Sequence, residues 1–279
     1  INSGIRNIYI PKNIRHVKRE AFKNCKWLKT VNFDDGTIYI HEEAFRGCIN
    51  LELITLPKST LKTLEEKVFS ECFKLSKINL CEPLQTIGVD CFYRCDFKSV
   101  SLPESLKTIG DRAFGSNNNL EKINIPEGIT KIEYKVFFCC SLKEIKLPAS
   151  LKCIDFKAFA ENNFTEINFP PYLSEINNAA FFKCKSLEKV YFPATIKKIG
   201  SDAFGYCNIK IVDLPINFSK SFFEWAFNYN SYSRKNTVIG RFVLDNHGLT
   251  SHEEEEFREK EYDIRNKAIR KNDFYGDNM

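Results

Sequence analysis

The 279-residue sequence has no apolar run approaching the ~20 residues that a membrane-spanning helix needs. It has only four histidines, and none shows a metal-ligand spacing such as H-E-x-x-H. No C-x-x-C, the usual hairpin of a zinc site, occurs either. P-loop, G-x-G-x-x-G and G-x-S-x-G motifs are absent, which removes support for an NTPase, a dinucleotide-binding enzyme or a serine hydrolase. We therefore expect no enzyme activity, no metal and no cofactor.

The charge excess is small. A formal net charge of +5, scattered along the chain, does not predict a nucleic-acid partner. Hydrophobic residues make up 43% and charged residues 28%, a balance typical of a folded protein. Two residue types are in excess, with 25 phenylalanines and 11 cysteines against a single methionine. Many of the residues of both types recur at fixed intervals along the chain.

Ten phenylalanines recur at intervals of 22 to 24 residues, which identifies an internal repeat. They are Phe22, Phe45, Phe69, Phe92, Phe114, Phe137, Phe159, Phe181, Phe204 and Phe227. The unit reads L-x-x-I-x-L-P-x-x-L-x-x-I-x-x-x-A-F-x-x-C. Its I-x-L pair alternates with period two and predicts a short strand, which the following Pro ends. The A-F-x-x-C part predicts a tight turn or one turn of helix. Such a unit buries its apolar face only by stacking on its neighbours.

The repeat resembles the BspA-like class of leucine-rich repeats, known from surface proteins of oral and gut bacteria and from large families in parasitic protists. The recurring I-x-L-P and A-F-x-x-C elements carry the resemblance over residues 5 to 227. It implies an α/β fold: a right-handed solenoid of about ten leucine-rich repeats with one parallel sheet and a C-terminal cap that contains a helix. We predict two regions, the solenoid at 1–227 and a degenerate last repeat with a capping helix and tail at 228–279.

Both ends of the chain depart from the repeat. Ile1 lies inside a repeat, and we expect more protein to precede it. Residues 238–244 predict one last strand or two. A helix should follow, because Ser251 and Glu254 form a capping box and basic residues load its C-terminal turn. Two interpretations stay open: a cap on the solenoid, or a linker or partner-binding helix leading to a membrane or a second domain.

Seven cysteines share the slot three residues after the repeat Phe. They are Cys25, Cys48, Cys72, Cys95, Cys140, Cys184 and Cys207, and asparagine fills the slot in other turns. Alternation of Cys with Asn predicts a buried site where a thiol or amide meets local backbone. An odd cysteine count and parallel rungs disfavour a disulfide framework, so we expect reduced thiols. Outside the column, Cys91 should be core, and Cys153 is the best candidate for a reactive thiol.

The repeat phenylalanines should form a stacked spine in the core. The residue between the two inward apolar positions of each strand should face outward, in a column read as Asn32, Thr55, Asn79, Ser101, Asn124, Lys146, Asn168, Tyr191 and Asp213. We predict that a ligand contacts this column around four candidate residues, Asn124, Lys146, Asn168 and Tyr191. Tyr191 is taken as its one aromatic residue and hence as an anchor.

These observations predict a non-enzymatic protein-binding module, expected to be a monomer. The resemblance implies a cell-surface or secreted adhesin-type protein that engages host or matrix proteins. The alternative is an intracellular scaffold or sensor attached to an effector domain, and the cysteine content favours it, because free thiols are typical of a reducing compartment.

Overall fold

A computed structural model describes residues 4–213, 226–227 and 238–240 of the chain. They form a parallel β-solenoid of about nine turns. The strands are β1 (Asn7–Ile10), β2 (His16–Val17), β3 (Thr30–Phe33), β4 (Tyr39–Ile40), β5 (Leu53–Thr55), β6 (Thr63–Leu64), β7 (Lys77–Ile78), β8 (Thr86–Ile87), β9 (Ser99–Val100), β10 (Thr108–Ile109), β11 (Lys122–Ile123), β12 (Lys131–Ile132), β13 (Cys153–Ile154), β14 (Glu166–Asn168), β15 (Glu175–Ile176), β16 (Lys189–Tyr191), β17 (Lys198–Ile199), β18 (Ile211–Asp213) and β19 (Val238–Gly240).

The predicted I-x-L strands form the first ladder, whose groups are β1-β3-β5-β7, β9-β11 and β14-β16-β18-β19. All its pairs are parallel, and Ile8 lies opposite Val31 in the register that the repeat requires. One isolated bridge, between Asn124 and Lys146, extends the ladder beyond β11. The prediction of one continuous sheet is therefore wrong. Strands of two to four residues contribute few ladder bonds, so pairing lapses between some turns while the core remains in register.

A second parallel ladder, which the sequence analysis did not predict, lies on another side of each turn. It contains β10-β8-β6-β4-β2 and β12-β13-β15-β17. Each of its strands has two residues, the second of which is buried, as Ile132 is in β12. This buried residue is the apolar position five residues before the repeat Phe. Each turn of the solenoid therefore carries two short strands rather than one.

A tight turn surrounds each repeat Phe from Phe22 to Phe204, and it is not a helix. The residues two before and two after the Phe have φ between 52° and 62° in seventeen cases, and Gly47 has φ 70°. Left-handed backbone costs a non-glycine residue about 1–2 kcal/mol. The turn offsets this cost by bonding to the next turn, as in Phe22 N–H to Ala44 O at 2.7 Å and Phe114 N–H to Val136 O at 3.0 Å.

The core is the predicted phenylalanine spine. All nine successive pairs from Phe22 to Phe227 are stacked, with ring centroids 4.9–5.8 Å apart. The eight rings from Phe45 to Phe204 are fully buried. Each stacked pair contributes about 0.5–1.5 kcal/mol beyond the burial of its area. The spine prediction is confirmed.

Residues 4–213 contain strands and turns but no helix, so the α/β description is not supported for this part of the chain. The expected last strand is present as β19, which pairs in parallel with β18. The predicted helix that begins at Ser251 lies outside the described residues, as does most of the region 228–279. Within the described part, no helix is long and apolar enough to cross a membrane.

Candidate functional site

The four candidate ligand-binding residues lie on the outward column of the first ladder. Asn124 forms a bridge with Lys146, and Asn168 is paired with Tyr191 between β14 and β16. Asn124, Lys146 and Asn168 are exposed, and Tyr191 is half-buried. The structure thus places the four residues on successive turns of one face, as the spacing predicts.

Two of the four side chains are engaged within the fold. Asn124 accepts a hydrogen bond from the backbone N–H of Leu102 at 2.9 Å and donates one to its carbonyl oxygen at 3.1 Å. These two bonds join the end of β11 to the segment that follows β9. The Asn168 amide donates to Glu166 Oε1 at 3.0 Å. The side chains of Lys146 and Tyr191 make no hydrogen bond or ion pair among the described residues. The ammonium of Lys146 and the phenol of Tyr191 therefore remain available to a ligand.

The charges around the column are mixed. Lys122 lies 3.7 Å from Glu144, and Lys189 lies 3.6 Å from Glu166, both as exposed ion pairs. Exposed pairs of this kind contribute only about 0–1 kcal/mol and are screened by salt. The face therefore has no dominant sign of charge.

The sequence analysis took Tyr191 as the one aromatic residue of the column, but the structure adds a second, Tyr9. Tyr9 lies opposite Asn32 in β1 and β3 and is 62% exposed. Its hydroxyl donates to Asp34 Oδ2, and this hydrogen bond raises the pKa of the Tyr9 phenol. Tyr9 lies eight turns away from Tyr191 along the column, so the column carries an aromatic side chain near each of its ends.

The cysteine column has a structural role. The Cys48 thiol donates to Phe22 O at 3.1 Å, and the Cys140 thiol donates to Phe114 O at 3.2 Å. Where asparagine fills the slot, its amide nitrogen makes the same bond, as from Asn162 to Phe137 O at 2.8 Å. From Cys48 to Cys207, each slot therefore joins one turn to the repeat Phe of the turn before it. This shared geometry explains why Cys and Asn alternate there.

No disulfide joins any of the eleven cysteines; six of the seven column members are buried and Cys25 is half-buried, so the predicted burial of the column is confirmed. Burial raises the pKa of Cys48 and of Cys140 to about 12. Neutral buried thiols are poor nucleophiles and poor metal ligands. Among the described residues, no group of three His, Cys, Asp or Glu side chains could hold a metal ion.

Cys153 does not have the environment of a reactive thiol. It lies half-buried at the start of β13. Burial, and next the negative charge of Asp155, raise its pKa, whereas an activated thiol needs a lowered pKa. Cys91 is fully buried, as the prediction of a core position requires.

The outward side of the turns carries a cluster that the sequence analysis missed, which we call the turn patch. Its members are Tyr134, Lys135, Phe138, Phe156, Lys157, Phe182 and Lys183. The rings of Tyr134 and Phe156 are stacked at 5.7 Å, and the three lysine ammoniums lie 5.0–5.8 Å from ring centroids. Each of these residues lies two or three residues before a repeat Phe, or one or two after it. Aligning the repeats on the Phe would have shown this cluster in the sequence.

The chain matches the family model described as BspA type leucine-rich repeat region in six copies, over residues 1–121 and 107–234. It is similar to a leucine-rich repeat protein from Bacteroides ovatus, with 20% identity and a TM-score of 0.51 over 81% of this chain and 90% of that one. It is also similar to a leucine-rich repeat protein of T. pallidum, with 26% identity and a TM-score of 0.51 over 66% of this chain and 79% of that one. No match was found among curated proteins.

Proposed function

The chain belongs to the family of BspA-type leucine-rich repeats, and from this premise we propose that it is the binding module of a cell-surface or secreted adhesin-type protein that engages host or matrix proteins. The family implies a protein-interaction module. Its resemblance to surface proteins of oral and gut bacteria supports the adhesin role. We also propose that the module acts as a monomer, without catalysis and without a nucleic-acid partner.

The observation that carries this proposal is the outward column of the first ladder. Its side chains are attached to backbone that is hydrogen-bonded between turns and packed on the stacked phenylalanine spine. A partner therefore does not have to order this surface on binding, which lowers the entropic cost of association. Lys146 and Tyr191 supply the groups with no partner among the described residues, and Asn124 and Asn168 flank them.

A triple variant tests the role of this column: Lys146→Ala, Asn168→Ala and Tyr191→Ala. We would measure its binding to a panel of immobilised collagen, laminin and fibronectin. Affinity for the partner should fall at least tenfold, equivalent to about 1.4 kcal/mol. The matched control changes outward residues of the second ladder, Thr108→Ala, Glu175→Ala and Lys198→Ala, and should bind as the parent does.

The proposal for the column fails if the folded triple variant retains the parent affinity. Both variants should keep their melting temperatures nearly unchanged, because surface substitutions usually change stability by less than about 0.5 kcal/mol each. Binding to none of the matrix proteins would contradict the adhesin role.

One observation favours a second candidate function, an intracellular scaffold or sensor attached to an effector. Eleven free thiols in one chain are typical of a reducing compartment rather than of an oxidising one. Antibody labelling of intact and permeabilised source cells separates the two proposals. Labelling of intact cells supports the adhesin, and labelling only after permeabilisation supports the scaffold.

A further inference from the structure

On the side of the solenoid formed by the tight turns, the surroundings of the cationic side chains change along the chain. In the first five turns several of these cations are paired with carboxylates, although Arg94 lies over the Tyr93 ring at 5.2 Å. Arg46 lies 3.3 Å from Glu43, and Arg112 forms a fork with Asp90 through bonds of 2.7 and 2.5 Å. The three lysines of the turn patch have no carboxylate within ion-pair distance among the described residues. Three residues before the repeat Phe, aromatic rings stand where three of the earlier turns place acids.

Each of these lysines lies against aromatic rings. The Lys135 ammonium is 5.0 Å from the centroid of Tyr134 and 5.4 Å from that of Phe138. The Lys157 ammonium lies 5.2 Å from Phe156 and 5.8 Å from Phe182 in the next turn. Cation–aromatic contacts within ≈ 6 Å are attractive, so the rings hold the ammoniums in fixed positions on the surface.

Large and small residues alternate along the position that follows the repeat Phe. From the fourth turn onward this position reads Tyr93, Gly115, Phe138, Ala160, Phe182 and Gly205. A Cβ on Gly115 would lie 3.3 Å from the Tyr93 ring, and one on Gly205 would lie 3.1 Å from the Phe182 ring. The rings thus lean over the small residue of the following turn. This alternation produces a row of aromatic ridges separated by shallow steps.

The turn patch is electropositive at its centre. Burial, followed by the positive charge of Lys135, lowers the pKa of Lys157, and Lys183 adds to this effect. The acids nearest to it are largely engaged: Asp155 lies 2.8 Å from Lys131, and Glu161 accepts a weak bond from the Cys139 thiol at 3.5 Å. A bound anion would relieve the repulsion among the three ammoniums.

We propose that the turn patch binds an acidic, extended segment of a partner protein. Carboxylates of this segment contact Lys135, Lys157 and Lys183, and an apolar side chain of the segment packs against Phe138. Side chains two residues apart lie on the same side of an extended chain, so one segment presents several carboxylates to lysines of successive turns. This surface is separate from the outward column of the first ladder and does not depend on the function proposed for that column.

Nucleic acid and sulfated glycan fit this surface less well. Phe182 is contacted by two lysine ammoniums and meets the Tyr206 ring edge-on at 5.2 Å, so it offers no free face for stacking a base or a sugar. Three cations beside Glu161 also make a short positive patch rather than the long track that a polyanion backbone follows. A short acidic peptide needs no more than this.

Fluorescence anisotropy with the whole chain tests the proposal. The probe is a fluorescein-labelled peptide that alternates glutamate with leucine over twelve residues, and the comparison probes are a serine–leucine peptide, a heparin fragment and a twelve-nucleotide single-stranded DNA. The patch variant is Lys135→Gln, Lys157→Gln and Lys183→Gln. The matched control, Lys107→Gln, Lys152→Gln and Lys197→Gln, changes three exposed lysines elsewhere and removes the same total charge.

The acidic peptide should bind the parent, lose at least tenfold in affinity with the patch variant and lose less than twofold with the control. Replacing the three patch lysines with arginine should restore binding to within about threefold, and Phe138→Ala should weaken it while leaving the lysines in place. Three results overturn the proposal: no binding of the acidic peptide, equal losses in the patch variant and the control, or tighter patch-dependent binding of heparin or DNA.

Discussion

Two asparagines of the cysteine slot, Asn117 and Asn162, provide a matched pair for testing what the slot does. The Asn162 amide uses both of its ends. Its nitrogen donates to Phe137 O at 2.8 Å and to Phe159 O at 3.0 Å, and its oxygen accepts the backbone N–H of Leu142 at 3.0 Å. Asn117 makes the two corresponding donor bonds at 2.8 Å to Phe92 O and Phe114 O. Its Oδ1 is buried and has no partner within the described residues.

Changing each asparagine to cysteine should therefore give different results. The thiol keeps one bond to the repeat Phe of the preceding turn in both variants. In Asn162→Cys it leaves the buried N–H of Leu142 without an acceptor, which costs about 1–3 kcal/mol. In Asn117→Cys the substitution removes an unsatisfied acceptor and so offsets the lost second donor bond, for a net change of about 0 ± 1 kcal/mol.

Urea unfolding followed by circular dichroism measures the two free energies of unfolding. We expect Asn162→Cys to be less stable than Asn117→Cys by at least about 1 kcal/mol. Asn→Ala at both positions serves as the control, because it removes every side-chain bond of the slot and should destabilise both variants. Equal stabilities for the two cysteine variants would refute the assigned role of the Leu142 bond.

Two further predictions concern the core. Phe137→Ala removes a fully buried ring from the spine and should cost about 3–5 kcal/mol, more than Phe22→Ala at the half-buried first position; similar losses in urea unfolding would contradict the stacked core. Iodoacetamide should alkylate Cys48 and Cys140 slowly in the native protein, and the rate should keep rising with pH up to about 12, because burial raises both pKa values to that level and only the thiolate reacts. Mass spectrometry of the labelled peptides measures this, and rapid labelling at pH 8 in the folded state would contradict the burial of the column.

The spacing of the repeat predicted the parts of the fold that depend on burial. The positions of Phe137 and Cys140 recur in every repeat because the side chain at each position must face the same core in every turn. Such a constraint produces a periodic pattern that can be seen in the sequence. The left-handed turns were not predicted. Their positions hold residues such as Lys135 and Glu161 rather than glycine, because inter-turn hydrogen bonds impose the conformation from outside the turn.

The candidate sites also combine features that the sequence predicts with features that it does not. The positions of Lys146 and Tyr191 on one face follow from strand periodicity, and the structure places them there. The hydrogen bonds between the Asn124 side-chain amide and the backbone of Leu102 could not be predicted from the sequence. They depend on where a neighbouring turn leaves its backbone N–H and C=O groups unpaired. The turn patch was missed because its rings and lysines are ordinary surface residues within one repeat and form a cluster only when turns are stacked.

Photo-cross-linking tests most directly the claim that the outward column of the first ladder is the ligand-binding surface. The photoreactive residue p-benzoylphenylalanine replaces Tyr191, and in a control it replaces Tyr172, which is 65% exposed outside that column. With the matrix protein that the chain binds, we expect a cross-linked product from position 191 and none from position 172. Cross-linking from position 172 alone would contradict the account.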